Sequence, residues 1–224
     1  RRPPDDHRVT AAGPATRDQP LIAIDVVPVS FAGADGLRVA TARRAYAPYA
    51  GLEALPGVLL DGTEILADGA RRALRTKTGI DAAAVRHLAQ IGAFDGPDRD
   101  PRSAAISIAF LAVVEPGTDS TATWHAAADR PLALPFDHDR IVDAALEHVR
   151  LRCWSDVPLT RALLGSPFTT ADARRLLTAL TGASPDPGNL NRMLRTNPVL
   201  SRVDAPAAAG PRGGRPPAAW TWSA

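Results

Sequence analysis

The chain is poor in the residues that disulfide, redox and metal chemistry require. Its 224 residues hold one cysteine, Cys153, so no internal disulfide can form. Cys153 stands beside a tryptophan in VRLRCWSD, a setting that favours a packed thiol over a nucleophile. His125, His138 and His148 have no Cys or carboxylate partners at ligand spacing, so no metal site is expected from them. No Ser-His-Asp arrangement stands out. Glutamate occurs only four times, as Glu53, Glu64, Glu115 and Glu147, and no helix gathers a carboxylate cluster. Long apolar runs are missing too: nothing approaches the ~20 residues of a membrane helix. Residues 1–19, rich in Pro, Ala, Gly and charge, carry no apolar stretch; they predict a disordered lead-in, not a signal peptide. The expectation is a soluble globular protein of the cytoplasm.

Apolar residues make up 45% of the chain, enough to bury a core, and the charged fraction is an ordinary 22%. The net charge of +2 is unevenly placed. From Thr160 onward there are eight arginines against three aspartates, a net +5, which leaves −3 for the first 159 residues. A basic C-terminal module for an anionic partner fits that asymmetry, and so does a solvated arginine face.

Periodicity predicts a mixed sheet first. LIAIDVVPVSF (21–31) and GLRVATARRAY (36–46) are alternating, β-branched runs joined by AGAD as a hairpin. APYAGLEALPGVLLDGT is loop and short strand. EILADGARRALRTKTG has helical spacing, with Ile65, Ala70, Ala73 and Leu74 on one face and Gly79 as the stop. AVRHLAQIGAF, AAISIAFLAVV and TATWHAA predict strands. A linking helix follows over 136–154, with Asp137 as N-cap. SDVPLTRALLGSP reads as a connection. FTTADARRLLTALTG (168–182) is a helix capped by Thr169 or Thr170, its apolar face formed by Leu176, Leu177 and Leu180. DPGNLNRMLRTNP (186–198) is a second, turning Leu190, Met193 and Leu194 inward. VLSRVDA and AAWTWSA are strand-like, and Trp220 and Trp222 share one face. Between them lies a Pro- and Gly-rich loop with Arg212 and Arg215. Helix, turn, helix, strand, basic loop, strand is the order of a winged helix-turn-helix, beginning near 156.

Residues 57–80, GVLLDGTEILADGARRALRTKTGI, resemble a Nudix box. Glu64, Arg72, Leu74, Gly79 and Ile80 fall in the family frame, flanked by ALPG and TGI. The resemblance implies a Nudix-like mixed β-sheet in an α/β/α sandwich over residues 20–155. It also exposes a departure. The frame's other three glutamates fall on Ala73, Thr76 and Lys77, and its first glycine on Val58. Hard divalent cations need oxygen ligands, and Lys77 puts a positive charge in their place. The expectation is therefore no catalytic residue, no metal and no cofactor; a diphosphate hydrolase with relocated metal ligands is the alternative.

A scaffold without its chemistry can serve as a sensor. The helix is basic through Arg71, Arg72, Arg75 and Lys77, which reads either as a phosphate face or as Arg72 in a structural ion pair with the rest solvated. The loop FDGPDRDPR resembles the segment beside the nucleotide in Nudix proteins that bind ADP-ribose. That likeness implies Arg99 and Arg102 on a diphosphate and Asp100 ordering the loop or accepting from a ribose. The ligand-binding set is then Arg43, Arg44, Arg72, Arg75, Arg99, Asp100 and Arg102. Where the family often places an aromatic before ALPG, this chain has Glu53; Tyr46 and Tyr49 stand nearby.

From about residue 20 to the C-terminus the chain resembles the Nudix-related transcriptional regulators, the NrtR family. Phe168-Thr169, GNLNRMLR and GRPPAAWTW carry the second half of the likeness. It implies a homodimeric repressor whose effector is ADP-ribose or a relative and whose genes serve NAD or sugar metabolism. Asn189, Asn191, Arg192 and Arg195 would read double-stranded DNA in the major groove, and Arg212 and Arg215 would hold phosphates or a narrow minor groove.

Overall fold

The computed structural model describes residues 19–33, 35–96, 99–204 and 218–223. The expected lead-in over 1–19, all but its last residue, lies outside the described residues, as do Arg212 and Arg215.

Strand β1 (Leu21–Ala32) is the centre of a seven-stranded mixed sheet. It runs parallel to β6 (Ala105–Val114) on one side. On the other it pairs antiparallel with β4 (Gly57–Leu59) at its start and with β2 (Gly36–Arg43) at its end. The β1–β2 hairpin closes where the sequence places it, with Ala32 opposite Gly36. β3 (Glu53–Ala54) and β7 (Thr123–Ala126) flank β2, and β5 (Val85–Phe94) pairs antiparallel with β6 at the far edge.

Both faces of β1 are buried, because helices cover both. Ile24 and Val26 meet Ala70, Ala73 and Leu74 of α1 (Leu66–Thr78). Val27, Val29 and Phe31 meet Ile141, Val142 and Val149 of α2 (His138–Arg152) and Leu159 and Leu163 of α3 (Val157–Leu164). Parallel pairing of β1 with β6 needs a long crossover, which α1 supplies. Gly79 ends α1 in the left-handed region, φ 75°, its N–H bonded to the Arg75 carbonyl. The result is an α/β/α sandwich. Among the described residues no helix is long and apolar enough to cross a membrane.

Three local expectations are corrected. SDVPLTRALLGSP contains helix α3, started by Asp156, whose carboxylate accepts from Leu159 N–H at 2.9 Å, with proline in the first turn. Ile65 precedes α1 and is 64% exposed, because it sits at the cap before the helical face begins. Asp137 stands at the N-cap of α2 but makes no capping bond; Arg99 takes its carboxylate.

Beyond α3 come β8 (Phe168–Thr169), α4 (Thr170–Thr181), α5 (Pro187–Thr196), β9 (Leu200–Asp204) and β10 (Ala218–Trp222). The three strands form a small antiparallel sheet, β8-β10-β9. Phe168, Ala173, Leu190, Leu194, Trp220 and Trp222 make its core. Trp220 Nε1 donates to Thr170 Oγ1 at 2.9 Å and Trp222 Nε1 to the Gly165 carbonyl at 2.8 Å, whereas the buried Trp154 Nε1 has no acceptor among the described residues. Cys153 packs nearby, where burial pushes its thiol up to about 12.

The apolar face of α4 divides between two cores. Leu177 joins the small sheet, whereas Leu176 and Leu180 pack into the α2–α3 side of the large one. A full capping box starts α4, with Thr169 and Asp172 bonded reciprocally. Asp172 also takes a bond from Arg175 at 2.7 Å, and this pair abuts the β1–β2 hairpin at Gly33. A Cβ at Gly33 would lie 2.6 Å from Asp172 Oδ1. Gly33→Ala is therefore expected to disturb the box and cost about 1–2 kcal/mol, read as a lowered urea midpoint with unchanged slope.

Candidate functional site

Between the β4–α1 edge, the end of β2 and the loop before β6 lies a cavity of about 480 Å³. Its walls carry Arg43, Arg44, Lys77, Arg99 and Arg102 against Asp25 and Asp100. The excess is positive, and its mouth is open to solvent-exposed side chains, so the chemistry favours an anion.

Arg44 leads that wall. Its Nε donates to the Pro48 carbonyl at 2.9 Å, and its guanidinium lies 4.8 Å over the Phe136 ring. Burial and the neighbouring Arg102 guanidinium hold the Arg44 pKa below its ordinary value. Like charges crowded this way are relieved by an anion between them. Arg102 makes a bidentate pair with Asp100, at 2.9 and 2.6 Å, which holds the Asp100 carboxyl below the usual carboxylate range and raises Arg102. Asp100 also accepts the Arg102 backbone N–H at 3.0 Å, so it orders its own loop.

Phe136 and Tyr49 touch edge to face at 5.0 Å, and both bulky residues hold positive φ, 59° and 65°. Such conformations cost on the order of 1–3 kcal/mol and cluster at functional sites. Tyr46 lines the cavity and is 76% exposed, while Tyr49 packs on Phe136. Glu53 faces away: it accepts from Thr41 Oγ1 at 2.6 Å.

The floor is a buried charged cluster. Arg99 Nη2 donates to Asp25 Oδ2 at 2.6 Å, and its Nε lies 2.9 Å from Asp137 Oδ1 as an ion pair outside hydrogen-bond geometry. Ser107 Oγ donates to Asp25 Oδ2 at 2.7 Å. His138 Nδ1 accepts the Leu55 N–H at 2.9 Å, which requires an unprotonated Nδ1. Burial likewise holds the His138 pKa below its ordinary value. The sign follows. Below pH about 6.5 the unfolded chain binds a proton that the buried imidazole resists, so stability falls as pH drops from there toward the depressed native value. His148, also depressed by burial, acts the same way. Thermal midpoints at pH 8 and pH 5.5 should differ less in His138→Asn than in the wild type.

The cavity thus brings together Arg43, Arg44, Arg99, Asp100 and Arg102 of the expected set. It does not bring in Arg72 or Arg75. Arg72 donates to Glu64 twice, at 2.8 and 2.6 Å, and to the Leu59 carbonyl at 2.8 Å, so its guanidinium is already used. That pair holds the Glu64 carboxyl below the usual range. Arg75 is exposed, one turn before the end of α1, and away from the cavity walls. Arg99, expected on a diphosphate, lines the cavity from its floor, its side chain 4% exposed and paired with Asp25 and Asp137. Asp25, Phe136 and His138 were not in the expected set. Asp25 left a signal, as the lone acid inside an apolar strand run; Phe136 left none.

A divalent cation does not fit the donors along α1. Ala73 is fully buried in the core, Thr76 donates to the Arg72 carbonyl at 2.7 Å, and Lys77 is the chain's single lysine. Glu64 is occupied by Arg72. Among the described residues no three of His, Cys, Asp or Glu gather as a metal requires.

On α5, Asn189, Arg192 and Arg195 are exposed at three-residue spacing, while Leu190 and Leu194 are buried. Arg192 Nη2 donates to Asn189 Oδ1 at 2.6 Å. Asn191 is half-buried and donates to the Pro187 carbonyl at 2.9 Å.

Known proteins share this architecture. NrtR of Shewanella oneidensis, in a structure complexed with a 27mer DNA, superposes with a TM-score of 0.74 over 90% of this chain and 93% of its own, at 22% identity. The chain has the fold of a Nudix-related transcriptional regulator. A MutT/nudix family protein of Enterococcus faecalis gives 0.69 at 21% identity, covering 93% of this chain and 90% of its own. The NUDIX domain of the Shewanella NrtR, complexed with ADP ribose, gives 0.54 at 23% identity over 62% of this chain and 94% of its own. In sequence, a curated ADP-ribose pyrophosphatase of Methanocaldococcus jannaschii is 31% identical over 100 residues, 42% of this chain. The match spans 57% of that relative's length. No family model matches the chain.

Proposed function

We propose that the protein is a DNA-binding transcriptional repressor in which a catalytically inactive Nudix-like unit, residues 20–155, senses ADP-ribose or a related nucleotide sugar. The observation that carries this reading is one cavity with a cationic wall beside a helix with alanine, threonine and lysine where the Nudix frame has glutamates. Arg43, Arg44 and Lys77 can neutralise a diphosphate, and nothing at Ala73, Thr76 or Lys77 can hold the magnesium that would cleave it. Residues 156–224 form the DNA module, a winged helix-turn-helix with α4 and α5 as its helical pair. Asn189, Arg192 and Arg195 face the major groove, and Arg212 and Arg215, outside the described residues, would serve phosphates or a narrow minor groove. Two copies pair to read two half-sites.

The packing of α4 supports a route between the two. Leu176 and Leu180 sit in the large core, and Asp172 and Arg175 abut the hairpin whose second strand ends at Arg43. If effector and DNA prefer different placements of α4, each weakens the binding of the other by the same factor.

A gel shift on the protein's own upstream DNA tests the whole. ADP-ribose at saturation should release the DNA, with roughly 5- to 150-fold weaker binding. The same preparation, given ADP-ribose and Mg²⁺, should show no turnover. Magnesium-dependent hydrolysis lost on changing Glu64 would replace this reading with an enzyme.

A further inference from the structure

The cavity is electrically two-ended. Its wall carries Arg43, Arg44, Lys77 and Arg102 against Asp100, whereas on the floor Arg99 is flanked by Asp25 and Asp137, the latter also 3.9 Å from Arg140. Asp25 reaches the cavity, yet its side chain is only 7% exposed. Its two oxygens are treated differently. Oδ2 takes bonds from Arg99 and Ser107. Oδ1 accepts none among the described residues; His138 Nε2 stands 3.7 Å away, beyond hydrogen-bond range. Oδ1 lies against Gly57, where a Cβ would stand 2.2 Å from it, so a side chain at position 57 would displace the carboxylate.

We propose that Asp25 is a specificity-determining residue, its Oδ1 accepting a hydrogen bond from a hydroxyl at the inner end of the ligand. The site then takes a nucleoside diphosphate that ends in a neutral sugar and rejects one that ends in a further phosphate. This rests on the nucleotide-sensor reading above and deepens it. The physical reason is the inventory of donors. A sugar hydroxyl donates to a carboxylate, while an ionised phosphate offers only lone pairs and negative charge. A site built to bond a hydroxyl rejects a group lacking it far more strongly than an apolar pocket does.

Titration calorimetry of the full chain, without divalent metal, with ADP-ribose, ADP and ATP separates the possibilities. A cationic wall acting alone would rank ATP above ADP by charge. We expect ADP-ribose tightest, ADP about 10- to 100-fold weaker and ATP weakest despite its extra charge. Asp25→Asn, which can donate to phosphate, should bring ATP to within about threefold of ADP or better. ATP binding as tightly as ADP-ribose, or unchanged discrimination in folded Asp25→Asn, overturns the proposal. If that variant does not fold, the β-methyl ester of ADP decides with the wild type. It keeps the diphosphate charge of ADP-ribose and lacks the sugar hydroxyls. Weak binding of the ester supports the role of Asp25, and binding equal to ADP-ribose overturns it. If ADP-ribose binds tightly and the ranking fails, the sensor reading survives alone; if no nucleotide binds, both fall.

Discussion

Replacing Arg192 and Arg195 together with alanine is expected to weaken operator binding by roughly 100-fold or more, since each arginine on a base or phosphate is worth about 1–3 kcal/mol. The choice follows from how α5 is packed. Leu190 and Leu194 are buried 3% and 0% exposed, which turns the opposite side, with Asn189, Arg192 and Arg195, to solvent. In the unbound protein Arg192 satisfies itself on Asn189 at 2.6 Å. DNA must replace that bond, and either residue of the pair can then turn to a base edge. Because both arginines are exposed, thermal stability should change little. The salt dependence of the remaining binding should also flatten, as fewer phosphate counterions are released. A double variant that binds the same DNA with wild-type affinity would remove α5 from the interface.

The second large effect is on stability. Arg99→Ala is expected to destabilise the protein by about 3–5 kcal/mol, because it strands the buried Asp25 carboxylate and removes the nearer cation from half-buried Asp137, which keeps only Arg140 at 3.9 Å. The Arg99 side chain is 4% exposed, with Asp25 at 2.6 Å and Asp137 at 2.9 Å. Against the ~5–15 kcal/mol stability of an ordinary domain this is a large share. Urea unfolding should show a much lower midpoint. The diagnostic comparison is the triple variant. Adding Asp25→Asn and Asp137→Asn to Arg99→Ala should recover much of the loss, since the cost lies in the stranded charges more than in the missing guanidinium. No recovery would mean that Arg99 acts through packing.

The sequence by itself determined the elements and which side of each faces inward. Period-two runs became β1, β2, β5 and β6, and helical spacing became α1, α2, α4 and α5 within a few residues. These are local properties: side chains two apart in a strand, or three and four apart in a helix, share a face wherever the element lies. The Nudix frame was legible for the same reason, since Glu64 to Ile80 is one loop, one helix and one turn. The short α3 went unread, because eight residues hold too few turns to display a period. Only the tertiary structure decided which arginines are available. Arg72 and Arg99 look alike in sequence to Arg43 and Arg44. Yet Arg72 is taken by Glu64 and Arg99 by Asp25, the latter 74 residues away. It also decided that Leu176 and Leu177, neighbours on one helix, serve different cores. Ion pairing and burial between distant segments depend on where the folded chain returns to itself. Neither spacing nor composition carries that information.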